Sequence, residues 1–157
     1  KRLLNELEIK PKNAFKKGLF HNKRHLLKVG QPLKQSVLSH QDGRQCGSDD
    51  VAPGKFKLIG FGVSPLHYLS QFNQQRFIEL GGVCLQVCHK NQVLNRPDLS
   101  ICWQDETGDL IPNTAPVGWV AVIRPDQVIM HDGPVERVDF MLNEVIKMLQ
   151  NDASYCA

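Results

Sequence analysis

The chain has 157 residues, 41% hydrophobic and 22% charged, the composition of an ordinary globular domain with enough length for one core. Its formal net charge of +3 is too mild to point by itself to nucleic acid or to a membrane surface. No window approaches the ~18 consecutive apolar residues of a membrane span, and Glu6 and Glu8 interrupt the short Leu3-Leu4 run that a secretory signal would have to extend. The expected location is the cytoplasm.

The first stretch, residues 1–29, is basic and weakly patterned. Leu3, Leu4 and Leu7 have helical spacing, and Pro11 should end any helix they form. Lys16, Lys17, His21, Lys23, Arg24, His25 and Lys28 follow. An arm or linker from a preceding domain is favoured over an anion-binding patch, since a run of charges is more often a solvated segment than a binding site. The chain begins at Lys1 rather than at methionine, and the expectation is that something precedes it in the gene or was removed.

From Gly30 the pattern changes. Residues 31–39 read as an extended strand, and Asp42-Gly43 as a tight turn, since glycine supplies the positive φ a hairpin needs. Ser48-Asp49-Asp50-Val51 reads as a short helix capped by Ser48 or Asp49 and stopped by Pro53-Gly54. Residues 55–62, with Phe56, Leu58, Ile59 and Phe61, form the strongest strand, apolar enough to be covered on both faces. Ser64-Pro65 then predicts a helix start, with Ser64 capping and Pro65 in the first turn, running to Leu80 and closed by Gly81-Gly82.

Val83 to Cys88 is a second core strand, which makes a βαβ unit with parallel pairing. Residues 99–103 add a short piece of structure, and 105–116 read as loop. Residues 117–123 and 128–131 form a hairpin across the Arg124-Pro125-Asp126-Gln127 turn. Gly133-Pro134 should break the chain before a last helix over 135–150, whose stripe is Val138, Met141, Leu142, Val145, Ile146 and Leu149. The order predicts an α/β fold of thioredoxin-like plan, a central mixed β-sheet flanked by helices on both faces. The expected organisation is an arm over 1–29, a domain over 30–150 and a tail over 151–157.

The chemistry such a fold usually carries is missing. In thioredoxins the turn after the central strand holds a CxxC at a helix N-terminus; here it reads Gly62-Val63-Ser64-Pro65-Leu66-His67. Ser64 and His67 could make a nucleophile and base, yet no third group orients them, and a capping Ser64 is favoured. The five cysteines are Cys46, Cys84, Cys88, Cys102 and Cys156, with no CxxC among them. Cys84 and Cys88 share a strand face but stand ~13 Å apart, beyond disulfide reach. Buried free thiols are favoured over a redox pair. Neither His21 with His25 nor Cys84, Cys88 and His89 has zinc spacing. Asp105-Glu106-Thr107-Gly108-Asp109 is not a calcium loop, and Gly60-Phe61-Gly62 lacks the third glycine of a dinucleotide loop. No catalytic, cofactor or metal residue is expected in this chain.

Four stretches together resemble the C-terminal thioredoxin-like domain of flavin-dependent aromatic-ring hydroxylases, of the phenol hydroxylase and 3-(3-hydroxyphenyl)propionate hydroxylase kind. They are Gly30-Gln31-Pro32-Leu33 with the Gln41-Asp42-Gly43 turn, Ser48-Asp49-Asp50-Val51 with the strand from Gly54 to Gly60, Asp105 with Gly108 and Leu110, and Val120 to Ile123 with Arg124-Pro125-Asp126. The resemblance runs from Gly30 to Leu149. It departs at Gln127, where the family has glycine, and at His131, where a Trp-Arg pair is common. The resemblance implies a structural or subunit-contact domain. FAD, NAD(P)H and the phenolic substrate would then be held by preceding domains, with a homodimer as the assembly and no nucleic acid or membrane partner. Two rival readings are a stand-alone thiol oxidoreductase using Cys84, Cys88 or Cys102, and a binding module whose basic arm grips an acidic partner.

Overall fold

The structure is a computed structural model that describes residues 26–90 and 101–156. The basic cluster from Lys16 to His25 and the expected first helix lie outside the described residues. Among the described residues no helix is long and apolar enough to cross a membrane.

The strands are β1 (Val37–His40), β2 (Gln45–Gly47), β3 (Lys57–Phe61), β4 (Val83–His89), β5 (Cys102–Asp105), β6 (Trp119–Ile123) and β7 (Ile129–Pro134). The two α-helices are α1 (Gln71–Glu79) and α2 (Val138–Cys156). All seven strands form one mixed sheet in the order β2-β1-β5-β4-β3-β6-β7. At its centre β3 and β4 pair in parallel from Lys57 opposite Val83 to Phe61 opposite Val87, the predicted βαβ unit. Every residue of β3 is buried, as its near-continuous apolar run requires. The fold is thioredoxin-like α/β.

The two faces are covered differently. On one, Phe56, Leu58, Val120 and Val122 pack under Phe77 of α1 and under Val138, Leu142 and Val145 of α2. On the other, Ile59, Phe61, Val87 and Trp103 pack under Leu27, Leu33, Val51, Leu110 and Ile111, which sit in irregular segments. Both α-helices therefore lie on one face, and the expectation of helices on both faces is corrected among the described residues. Loops can serve as the second layer because buried side chains tie them down. Asp105 is the main tie: its carboxylate accepts from Leu110 N at 2.9 Å, Ile111 N at 3.1 Å and Gly108 N at 3.2 Å, and from the Ser36 hydroxyl.

Several boundaries move for identifiable reasons. The expected strand over 31–39 begins only at Val37. Before it, residues 30–33 run beside the start of β7, with Gly30 N bonded to Ile129 O, Ile129 N to Gln31 O and Leu33 N to Gln127 O. They cover part of an edge that would otherwise stand open. Ser48 does not cap the short turn it opens. Gly47 occupies that position, and Ser48 Oγ instead accepts from Ser36 N.

The expected helix from Ser64 to Leu80 is two pieces, a 3-10 turn over Pro65–His67 and then α1. Ser70, not Ser64, is the cap, its Oγ accepting from Asn73 N at 3.2 Å. Asp139 decides between them: it accepts from both Ser70 N and Asn73 Nδ2 at 2.9 Å, which holds the start of α1 against α2. Gly133 and Pro134 do not break the chain but finish β7. Gly133 lies against the Met141 side chain, whose sulfur would be 2.8 Å from an added Cβ and would have to shift. The last helix opens with a 3-10 turn at Val135–Arg137 and continues as α2 through Cys156, so residues 151–156, expected as tail, are helical.

Candidate functional site

The turn after β3 is where thioredoxin-like folds place their chemistry, and here it is closed. A Cβ on Gly60 would lie 2.0 Å from Val63 O and 2.8 Å from Pro65 Cδ, so the chain folds tightly back over the strand end. Gly62 N is already bonded to Val87 O. With that amide used and the space over Gly60 filled, the Gly60-Phe61-Gly62 stretch does not fit a flavin or nicotinamide pyrophosphate, which needs free backbone N–H groups at close approach. Ser64 is buried with no hydrogen-bond partner for its hydroxyl, and His67 is exposed. The two make no nucleophile–base pair, and Ser64 makes no cap bond either.

The thiols are arranged in a way the spacing did not show. Cys84 is set apart, and burial pushes its thiol up to about 11. Cys88 and Cys102, fourteen residues apart in sequence, bring their sulfurs to 2.9 Å across the β4–β5 boundary. Gln86 pairs with Cys102 and Cys88 with Gln104, so the cysteines are diagonal neighbours on one face. The shared hydrogen bond with Cys102, and then burial, raise the Cys88 thiol well above its ordinary value. His89 follows Cys88 on the opposite face of the strand. Among the described residues no three potential ligands gather into a metal site.

A buried cation sits at the other end of the central strand. Lys57 is 1% exposed, and its Nζ donates to Gln127 Oε1 at 3.0 Å and to Ser48 O at 3.5 Å. Desolvation lowers its pKa against the pull of Asp49 and Asp50. Gln127 has φ of 72°, the left-handed conformation that explains why a glycine is expected there. The departure has a physical reason: the glutamine side chain reaches Lys57 with an acceptor that a glycine would lack. Relieving left-handed strain is worth roughly 1–2 kcal/mol, whereas a hydrogen bond to a buried charge is worth roughly 1.5–3 kcal/mol. Gln127→Gly should therefore lower stability by about 1 kcal/mol in urea denaturation. A stabilised variant would show that strain outweighs the Lys57 bond. Next to it the Arg124-Pro125-Asp126 turn closes on itself, with Arg124 Nε and Nη2 donating to the two Asp126 oxygens at 3.0 and 2.8 Å.

A further cluster fixes how the chain approaches the domain. Asp132 Oδ2 accepts from Leu26 N at 3.1 Å, Leu27 N at 2.8 Å and Trp119 Nε1 at 2.8 Å. His131 Nδ1 accepts from Asp132 N, which leaves Nε2–H to donate to Glu144 Oε1 on α2 at 2.9 Å. Where the resemblance leads one to expect a Trp-Arg pair, this chain has a clamp joining the leading segment, the sheet and the last helix. None of these groups brings a nucleophile and a base together with a third group that orients them.

A family profile described as HcaD C-terminal domain matches residues 30–148. No curated protein matches the sequence. Among solved structures, the flavin-dependent monooxygenase PieE, determined with FAD and substrate, has 14% identity and a TM-score of 0.56 over 83% of this chain. The match spans 21% of PieE's own length. A thiol:disulfide interchange protein from Bacteroides sp. has 14% identity and a TM-score of 0.54, covering 80% of this chain and 93% of that one. A putative protein disulfide isomerase from Bacteroides thetaiotaomicron has 11% identity and a TM-score of 0.51, covering 82% and 89%. At these identities the likeness is one of fold.

Proposed function

The chain belongs to the HcaD C-terminal domain family, a flavin-dependent hydroxylase family, and on that premise we propose that it is the non-catalytic C-terminal domain of an FAD-dependent aromatic hydroxylase. The family match over residues 30–148 carries this reading. It nearly coincides with the Gly30 to Leu149 stretch on which the sequence resembles such enzymes. In this reading FAD, NAD(P)H and a phenolic substrate such as 3-(3-hydroxyphenyl)propionate are bound by domains that precede this one. The domain packs on that body and supports a homodimer, residues 1–29 are the arm that reaches it, and the enzyme works in the cytoplasm.

One observation supports a scaffold role over thiol exchange, although thiol:disulfide interchange proteins share the fold. The turn after β3 presents a buried hydroxyl at Ser64 where exchange chemistry needs a thiolate. The turn is also packed too closely over Gly60 for a dinucleotide. Titrating the purified chain with FAD and following flavin fluorescence should give no saturable change. Stoichiometric flavin binding would overturn the proposal.

A further inference from the structure

We propose that Cys88 and Cys102 form a reversible disulfide that cross-links β4 to β5 under peroxide. The sulfurs are already 2.9 Å apart, and the two residues lie on one face of adjacent parallel strands. Cys102 opens β5 and is half-buried, while Cys88 is buried deeper in β4. Peroxide therefore meets Cys102 first. The Cys102 sulfur attacks one peroxide oxygen, the O–O bond breaks, and a sulfenic acid and one water result. The Cys88 sulfur then attacks the Cys102 sulfur, the S–O bond breaks, and the departing hydroxide takes the Cys88 proton as a second water. Two thiols lose two electrons in all, and one peroxide gains them.

The same register argues that the bond is a labile one. The cysteines are two residues out of step, which from strand rise and spacing places their Cα atoms ~8 Å apart. Unstrained disulfides stay under ~7 Å. Closing the bond must draw the first residue of β5 toward β4, and a bond formed against that displacement is easily reduced. Cys102 is the first residue of β5, so the displacement falls at a strand end, ahead of the residues that β5 pairs with β1.

Peptide mapping of the full-length protein tests this without depending on any variant's folding. The protein is treated with equimolar hydrogen peroxide, alkylated and digested. A Cys88–Cys102 peptide pair two hydrogens lighter than the sum of its parts is expected, returning to two alkylated peptides after glutathione. Cys84→Ser should leave the pair intact, and Cys88→Ser or Cys102→Ser should abolish it. Alkylation of both cysteines after peroxide, oxidation of Cys102 to sulfinic acid without the cross-link, or a cross-link that resists glutathione would each overturn the proposal.

Discussion

Replacing Asp105 with alanine is expected to cost about 3 kcal/mol, the scale of stranding buried donors that had a charged acceptor. The carboxylate is 1% exposed. One oxygen accepts from the Ser36 hydroxyl and Gly108 N, and the other from Leu110 N and Ile111 N. Alanine would leave the buried Leu110 and Ile111 amides without an acceptor. The loss would not stay local, since Leu110 and Ile111 are fully buried in the loop-covered core. Asp105→Asn should fall between the two, keeping one oxygen but turning an amide N–H toward other N–H donors. Urea denaturation followed by tryptophan fluorescence reads the effect, because Trp103 packs in the same cluster. A change below about 1 kcal/mol would mean that the segment is held by its apolar contacts rather than by the carboxylate.

Gly60→Ala is expected to cost about 3 kcal/mol, at the upper end for forcing one extra carbon into a packed interior. The reason is steric: the new methyl would meet the Val63 carbonyl, a backbone atom that can move only if the whole turn moves. Gly54→Ala is the matched comparison. Gly54 has φ of 75° and nothing within 4 Å of an added Cβ, so it should cost only the left-handed strain of about 1 kcal/mol. Thermal denaturation of the two variants separates crowding from strain. Equal losses would mean that the turn over β3 yields readily, which would also weaken the case that this position is closed to a dinucleotide.

Much of the fold was legible because its signals are local. The apolar run from Phe56 to Phe61, the Arg124-Pro125-Asp126 turn and the stripe from Val138 to Leu149 each name an element without reference to anything distant. The failures come where a distant residue decides. Ser64 and Ser70 are equally good caps by type, and Asp139 on α2 selects Ser70. Gly133-Pro134 has the composition of a breaker, yet the pair finishes a strand because it lies opposite Val120 and Trp119 of β6. Lys57 looks like a surface charge in the sequence, and its burial depends on Gln127, seventy residues away. Cys88 and Cys102 have no motif spacing, and their meeting depends on a strand register that the sequence does not display. The sequence showed correctly that the redox turn has no cysteine; it could not show which cysteines meet elsewhere.

If this chain is one domain of a larger flavin enzyme, the natural coding sequence upstream of Lys1 tests it most directly. The reading frame should continue without a stop into a strand, a G-x-G-x-x-G turn and a helix, the pattern that holds a flavin pyrophosphate. A start codon immediately before Lys1 would contradict it.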